Sequence, residues 1–91
     1  MQTNNTLQIK LKISEIGDFV NTVIKTGKNI NLMQSNVIIS AKSKISIHTF
    51  DLSAPITMLF DCRLDYLQHR DDFLRWTIKG GVKSDYEKRH I

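Results

Sequence analysis

Few residues in this chain could carry out chemistry, and those few stand apart. The histidines are His48, His69 and His90, and none has a second histidine or a cysteine at metal-ligand spacing. His69 adjoins Arg70, Asp71 and Asp72, the composition of a solvated turn of helix. Cys62 is the single cysteine, so neither an internal disulfide nor a thiolate metal cluster can form, and a reducing compartment suits it. Placed directly after an apolar run, it reads as a buried or half-buried thiol. Glu15 and Asp18 are three apart and would share a helix face, where pairing with exposed amides at the helix start accounts for both. Gly27, Gly80 and Gly81 build no phosphate-cradling loop. The expectation is a chain that is not an enzyme, with no cofactor, no metal and no small-molecule substrate.

Two features remain to be positioned: Ser43, which opens an apolar segment, and an aromatic set of Tyr66, Phe73 and Trp76. The surrounding pattern predicts seven elements. Leu7, Ile9, Leu11 and Ile13 alternate with Gln8, Lys10 and Lys12, a strand with one buried face. Ser14 is placed to cap a helix whose apolar stripe is Ile16, Phe19, Val20, Val23 and Ile24, and Gly27 ends it. Residues 29–33 and 36–41 flank Gln34-Ser35 as a hairpin, with Asn36 available for the turn. A short helix over 43–52 opens at Ser43, and Pro55 marks its exit into a strand at 56–60. A last helix runs from about Leu64 to Ile78 and stops at Gly80-Gly81. On a helical wheel Leu64, Leu67, Leu74 and Ile78 gather toward the sheet. The aromatic set falls nearer the opposite side, either covered by the residues that follow or offered to a partner.

With 91 residues, 41% of them hydrophobic, the chain can bury one core and no more. The domain is expected over 1–79, with 1–6 a frayed lead and 80–91 a charged tail. The net charge of +4 carries little information. Seven of the 13 basic residues lie in 62–91, interleaved with five acids, or six with Asp61, so no single-signed nucleic-acid footprint forms. No basic start runs into an apolar stretch, so neither export nor a membrane span is signalled and a cytoplasmic location is expected.

The segment AKSKISIHTFDLSAP at 41–55, following the hairpin, resembles the HPr family, the histidine-containing phosphocarriers of the sugar phosphotransferase system. In that family a short helix starts at a serine in a run much like Lys-Ser-Ile-Met-Gly-Ile-x-Ser-Leu. Here Lys42, Ser43 and Ile47 match. Lys44 replaces the first apolar residue, Ile45 takes the methionine position and Ser46 the glycine. His48 occupies a second apolar docking position, while Thr49 and Phe50 stand for serine and leucine. The resemblance covers about residues 7–79. It implies an α+β fold, an open-faced β-sandwich with a four-stranded antiparallel sheet and three helices on one face. It also implies that Ser43 is a candidate for regulatory phosphorylation, and that Ile45 and His48 belong to a protein-docking patch.

One departure governs the functional expectation. The family's phosphoryl-carrying histidine stands at the start of the first helix, followed by arginine and proline, which corresponds to the Lys12–Glu15 region. No histidine occurs from Met1 to Ile47, and the first helix has no arginine. The leading reading is therefore a non-catalytic, HPr-like protein-binding or regulatory domain whose partner is another protein or a second copy of itself. Candidate contacts are Ile45, His48, Tyr66, Phe73 and Trp76. The alternatives are a phosphotransferase-system component that uses a residue other than histidine, and a small basic nucleic-acid-binding protein.

Overall fold

Leu7 and Ile9 turn inward beside exposed Thr6 and Gln8, and this alternation makes strand β1 (Thr6–Ile9) in a computed structural model that describes residues 5–78. The strand is shorter than its apolar alternation. Lys12 leaves the sheet and a single 3₁₀ turn, Ile13–Glu15, leads into helix α1 (Ile16–Thr26). Leu11 stays buried, but Ile13 is 70% exposed instead of joining the core. Ser14 does not cap. The Glu15 carboxylate accepts from the Lys12 amide at 2.9 Å, so the acid three residues on satisfies the entering chain. On α1, Ile16, Phe19, Val20 and Val23 are buried, each contributing about 1.5–3 kcal/mol by leaving water. Ile24, expected on that stripe, sits at its margin, half exposed. Gly27 ends the helix at φ 69°, a left-handed position in which glycine carries no Cβ penalty.

The hairpin consists of β2 (Ile30–Gln34) and β3 (Val37–Ser40), closed by Gln34 opposite Val37. Its two turn residues are Ser35 and Asn36, one position later than Gln34-Ser35. Both have positive φ, 50° and 72°, as a two-residue turn matching the strand twist requires. Helix α2 (Lys44–Ile47) is only four residues long where 43–52 was expected. Beyond it, β-branched and turn-forming residues favour successive bends. Asp51 accepts from the Ser53 amide and hydroxyl, and the Gln34 side chain binds the Asp51 backbone. Strand β4 (Ile56–Phe60) falls where its apolar run predicts.

The last helix also differs from the expectation. Helix α3 (Arg63–His69) tightens at Arg70 into a 3₁₀ segment, Arg70–Trp76. Its proposed stop at Gly80-Gly81, the tail at 80–91 and most of the lead at 1–6 lie outside the described residues. Cys62 is exposed at the entrance to α3, because the chain has already left the sheet there.

The result is a small α+β domain: a four-stranded antiparallel sheet in the order β1-β4-β2-β3, with three helices on one face. Strand register places Gln8, Thr57, Met33 and Ile38 in one row across the other face, and Thr6, Leu59, Asn31 and Ser40 in a second. Those two rows carry no charge; of their apolar members, Leu59 lies on β4, and Met33 and Ile38 stand together toward the β3 edge. The two sheet edges differ. Outside β1, Thr77 bridges Ile9, the Lys10 amide donates to the Trp76 carbonyl at 2.9 Å, and the Ile78 amide donates to the Gln8 carbonyl at 3.0 Å. Nothing among the described residues covers β3.

Candidate functional site

Helix α2 is positioned from both ends. The Ser43 amide donates to the Ser40 carbonyl at 3.2 Å, which folds the chain back as it leaves β3. Ser43 adopts an extended conformation (φ −103°, ψ 102°), and its Oγ accepts from the Ser46 amide at 3.2 Å, the geometry of an N-cap. The Ser43 hydroxyl also lies 3.0 Å from Ser46 Oγ. Ser43 thus caps the helix, as its place in the sequence predicts. Ile47 is fully buried and Phe50 nearly so, and together they anchor the segment in the core.

The opposite side of α2 faces solvent. Ile45 is 82% exposed, the most exposed large apolar side chain among the described residues. His48, three residues on and therefore on the same side, is exposed as well, and so are Lys42 and Lys44. Exposing an isoleucine this fully contributes nothing to stability, so packing does not explain the residue.

The second set of candidate contacts has the opposite outcome. Phe73 is fully buried and Trp76 is 3% exposed, so neither is available to a partner, and Tyr66 is half-buried. Ring contacts account for this. Phe19 of α1 lies 5.6 Å from Phe73 and meets Trp76 edge-on at 5.2 Å, and Phe60 of β4 meets Tyr66 edge-on at 5.7 Å. The Arg75 guanidinium closes the outer side of Trp76 at 4.3 Å. Leu64, Leu67 and Leu74, expected against the sheet, are the exposed residues instead. Among the described residues one buried side-chain polar atom is left over in this core: Trp76 Nε1 has no hydrogen-bond acceptor there.

Other chemistry-bearing residues, Cys62 apart, have structural partners. His69 Nδ1 lies 3.2 Å from Asp72 Oδ2, one helical turn apart. Asp18 pairs with Arg75 at 3.3 Å, across two largely exposed side chains, and Lys28 reaches Asp65 at 3.4 Å. His90 lies outside the described residues. Among the described residues no group of three or more histidine, cysteine, aspartate or glutamate side chains is arranged to hold a metal. No helix there is long and apolar enough to cross a membrane. The Ser53 hydroxyl, then the Ser53 amide, hold the Asp51 pKa below the ordinary carboxylate value.

Residues 12–15 present an exposed isoleucine, a serine and a carboxylate already bonded to backbone. No protein-family model matches the chain, and the searches of curated proteins and of solved structures returned no match.

Proposed function

We propose that the chain is a non-catalytic, HPr-like domain that acts by binding another protein through the solvent face of α2. The observation that carries this reading is Ile45, 82% exposed beside His48, on a short helix held by a serine cap and by buried Ile47 and Phe50. An exposed apolar side chain on an anchored helix is a contact that a docking surface can use, and the resemblance to HPr puts Ile45 in such a surface. The element order, the one-sided sheet and the run from Lys42 to Phe50 support the likeness to HPr. In that family the positions matching Ile45 and His48 contribute to partner docking. Histidine phosphotransfer has no support at Lys12–Glu15. The nucleic-acid reading is not favoured, because Lys28, Arg70 and Arg75 are each paired with a carboxylate instead of forming a basic surface.

His48 sets the specificity. A partner that buries an apolar residue at this position would have to bury an imidazole here, which costs about 1–3 kcal/mol unless a hydrogen bond is supplied. Titration calorimetry against the general phosphotransferase enzyme tests this directly. The chain should bind weakly, His48→Met should tighten binding about tenfold or more, and Ile45→Glu should abolish it. The same mixture supplied with phosphoenolpyruvate should leave His48, His69 and His90 free of acid-labile phosphate. Stoichiometric phosphohistidine, or affinity indifferent to both substitutions, would overturn the reading.

A further inference from the structure

Strand β3 ends the sheet, and among the described residues its shortness is what protects that edge. Its residues Val37, Ile38, Ile39 and Ser40 include no charge and no proline, and no bulge interrupts the pairing from Gln34–Val37 to Asn31–Ser40. Val37 and Ile38 are 51% and 58% exposed. The two-residue turn fixes which backbone groups point outward. Gln34 and Val37 close the hairpin, and the Ala41 amide donates to the Ile30 carbonyl at 3.0 Å, so Val37, Ile39 and Ala41 bond toward β2. Ile38 and Ser40 therefore turn their backbones away from the sheet. The Ser40 carbonyl is taken by the Ser43 amide, which leaves the Ile38 N–H, the Ile38 C=O and the Ser40 N–H without partners among the described residues.

We propose that β3 pairs antiparallel with β3 of a second copy, about a twofold axis at Ile38. The outward donor and acceptor of Ile38 then meet those of its symmetry mate, and each satisfies the other. The two Ile38 side chains lie adjacent on the open face, each backed by its own Met33, where the apolar part of that face is concentrated. On the helix face Val37 stands opposite Ile39 of the other copy. Charge favours the antiparallel direction: it sets the Lys42 end of one strand beside the uncharged hairpin turn of the other, whereas a parallel pair would bring the two Lys42 ends together. The same pairing is closed to β1, whose edge is already bonded by Trp76–Ile78. A four-residue strand buries less than the roughly 1,000 Å² of a stable interface, so the dimer is weak and forms at high protein concentration.

This association is independent of docking through α2, and its test uses different residues. Sedimentation equilibrium and amide chemical shifts would be followed from low micromolar to millimolar protein. The expected result is a reversible monomer–dimer equilibrium with shifts centred on Val37–Ser40. Ile38→Lys should weaken it at least about tenfold by placing two ammonium groups at the axis. Ile38→Pro removes only an outward amide, is tolerated in an edge strand, and should abolish dimerisation while circular dichroism shows the fold retained. A monomer at every concentration would overturn the proposal and leave the edge to a foreign strand. A dimer unaffected by Ile38→Pro would overturn it equally, because side-chain contact and not strand pairing would then hold the copies together.

Discussion

Helix α2 and the α3–3₁₀ segment occupy the same face of the same sheet, and both carry apolar residues on two sides. They resolve that ambiguity in opposite ways. In α2 the branched and aromatic residues Ile47 and Phe50 go in and Ile45 stays out, as periodicity and the capping serine indicate. In the last segment the wheel separates two stripes correctly, yet the leucines face water and the aromatics form the core. The difference shows that period gives the division of a helix into faces but not which face is buried. Burial goes to the face with the better partners. Phe19 and Phe60 already present rings to Tyr66, Phe73 and Trp76, and each aromatic removes more area from water than a leucine. Tightening at Arg70 assists, because at about three residues per turn Phe73 and Trp76 fall in line along one side.

The most direct way to break this contrast is to exchange the roles within the last segment. Phe73→Ala should cost about 3–5 kcal/mol in urea unfolding, since it empties the centre of the ring cluster. Leu74→Ala, one residue away and half exposed, should stay within about 0.5 kcal/mol of wild type. Comparable losses from both would mean that the segment packs through its leucines after all. Trp76→Phe should cost less than Phe73→Ala, because it removes the buried, unbonded Nε1 along with the lost contact area. The same exchange within α2 is the next largest effect. Ile47→Ala should destabilise by about 2–5 kcal/mol and Ile45→Ala by no more than about 0.5 kcal/mol. If Ile45→Ala proved equally costly, Ile45 would be part of the core and the proposal of a docking face on α2 would fall.

These cases define what was legible beforehand. Strand β4, α1 and its end at Gly27, the hairpin and the Ser43 cap all follow from local pattern, because each is decided by neighbours in sequence. Ile13 and Ser14 misled because a strand-like alternation continued past the point where the Glu15 carboxylate bonds the Lys12 amide and turns the chain. The length of α2 was overestimated because Ser53, Asp51 and Gln34 form a side-chain network across 17 residues of sequence that competes with helix. Of the candidate contacts, Ile45 and His48 are named by the resemblance, and their spacing of three residues puts them on one side of α2. Phe73 and Trp76 were not readable as core, since their partners Phe19 and Phe60 lie on other elements. The exposed β3 edge left a trace in its uncharged Val-Ile-Ile run, but strand order decides that it is an edge.

A smaller effect sharpens the account of α2 specifically. Ser43→Ala removes the acceptor for the Ser46 amide and should cost about 1 kcal/mol, whereas Ser43→Asp, which can still accept, should cost little. Paired urea curves for the two variants measure the difference. Equal losses would show that bulk or charge at this half-buried position matters more than the cap. The comparison also bears on modification, because a carboxylate that preserves the cap shows whether α2 keeps its shape when this residue becomes acidic.

The smallest effect lies just beyond α2, where the chain has turns instead of a longer helix. Asp51 accepts from the Ser53 hydroxyl at 2.6 Å and the Ser53 amide at 3.0 Å, and these bonds favour its charged form. A carboxylate with a lowered folded pKa stabilises the fold above its unfolded pKa, and that contribution is lost as pH falls through the folded value. Asp51 is fully exposed, so solvent and salt keep the contribution small. Wild type should therefore exceed Ser53→Ala slightly in stability at neutral pH. The gap should narrow below about pH 4 as Asp51 takes up its proton. Urea midpoints for both proteins across this range, at low salt, give the measurement. A gap that stays constant into acid would assign the Ser53 contribution to local chain stiffness instead of the Asp51 charge. The exit from α2 would then be held by the bonds from the Gln34 side chain to Asp51 and Pro55, and Gln34→Ala would become the larger perturbation.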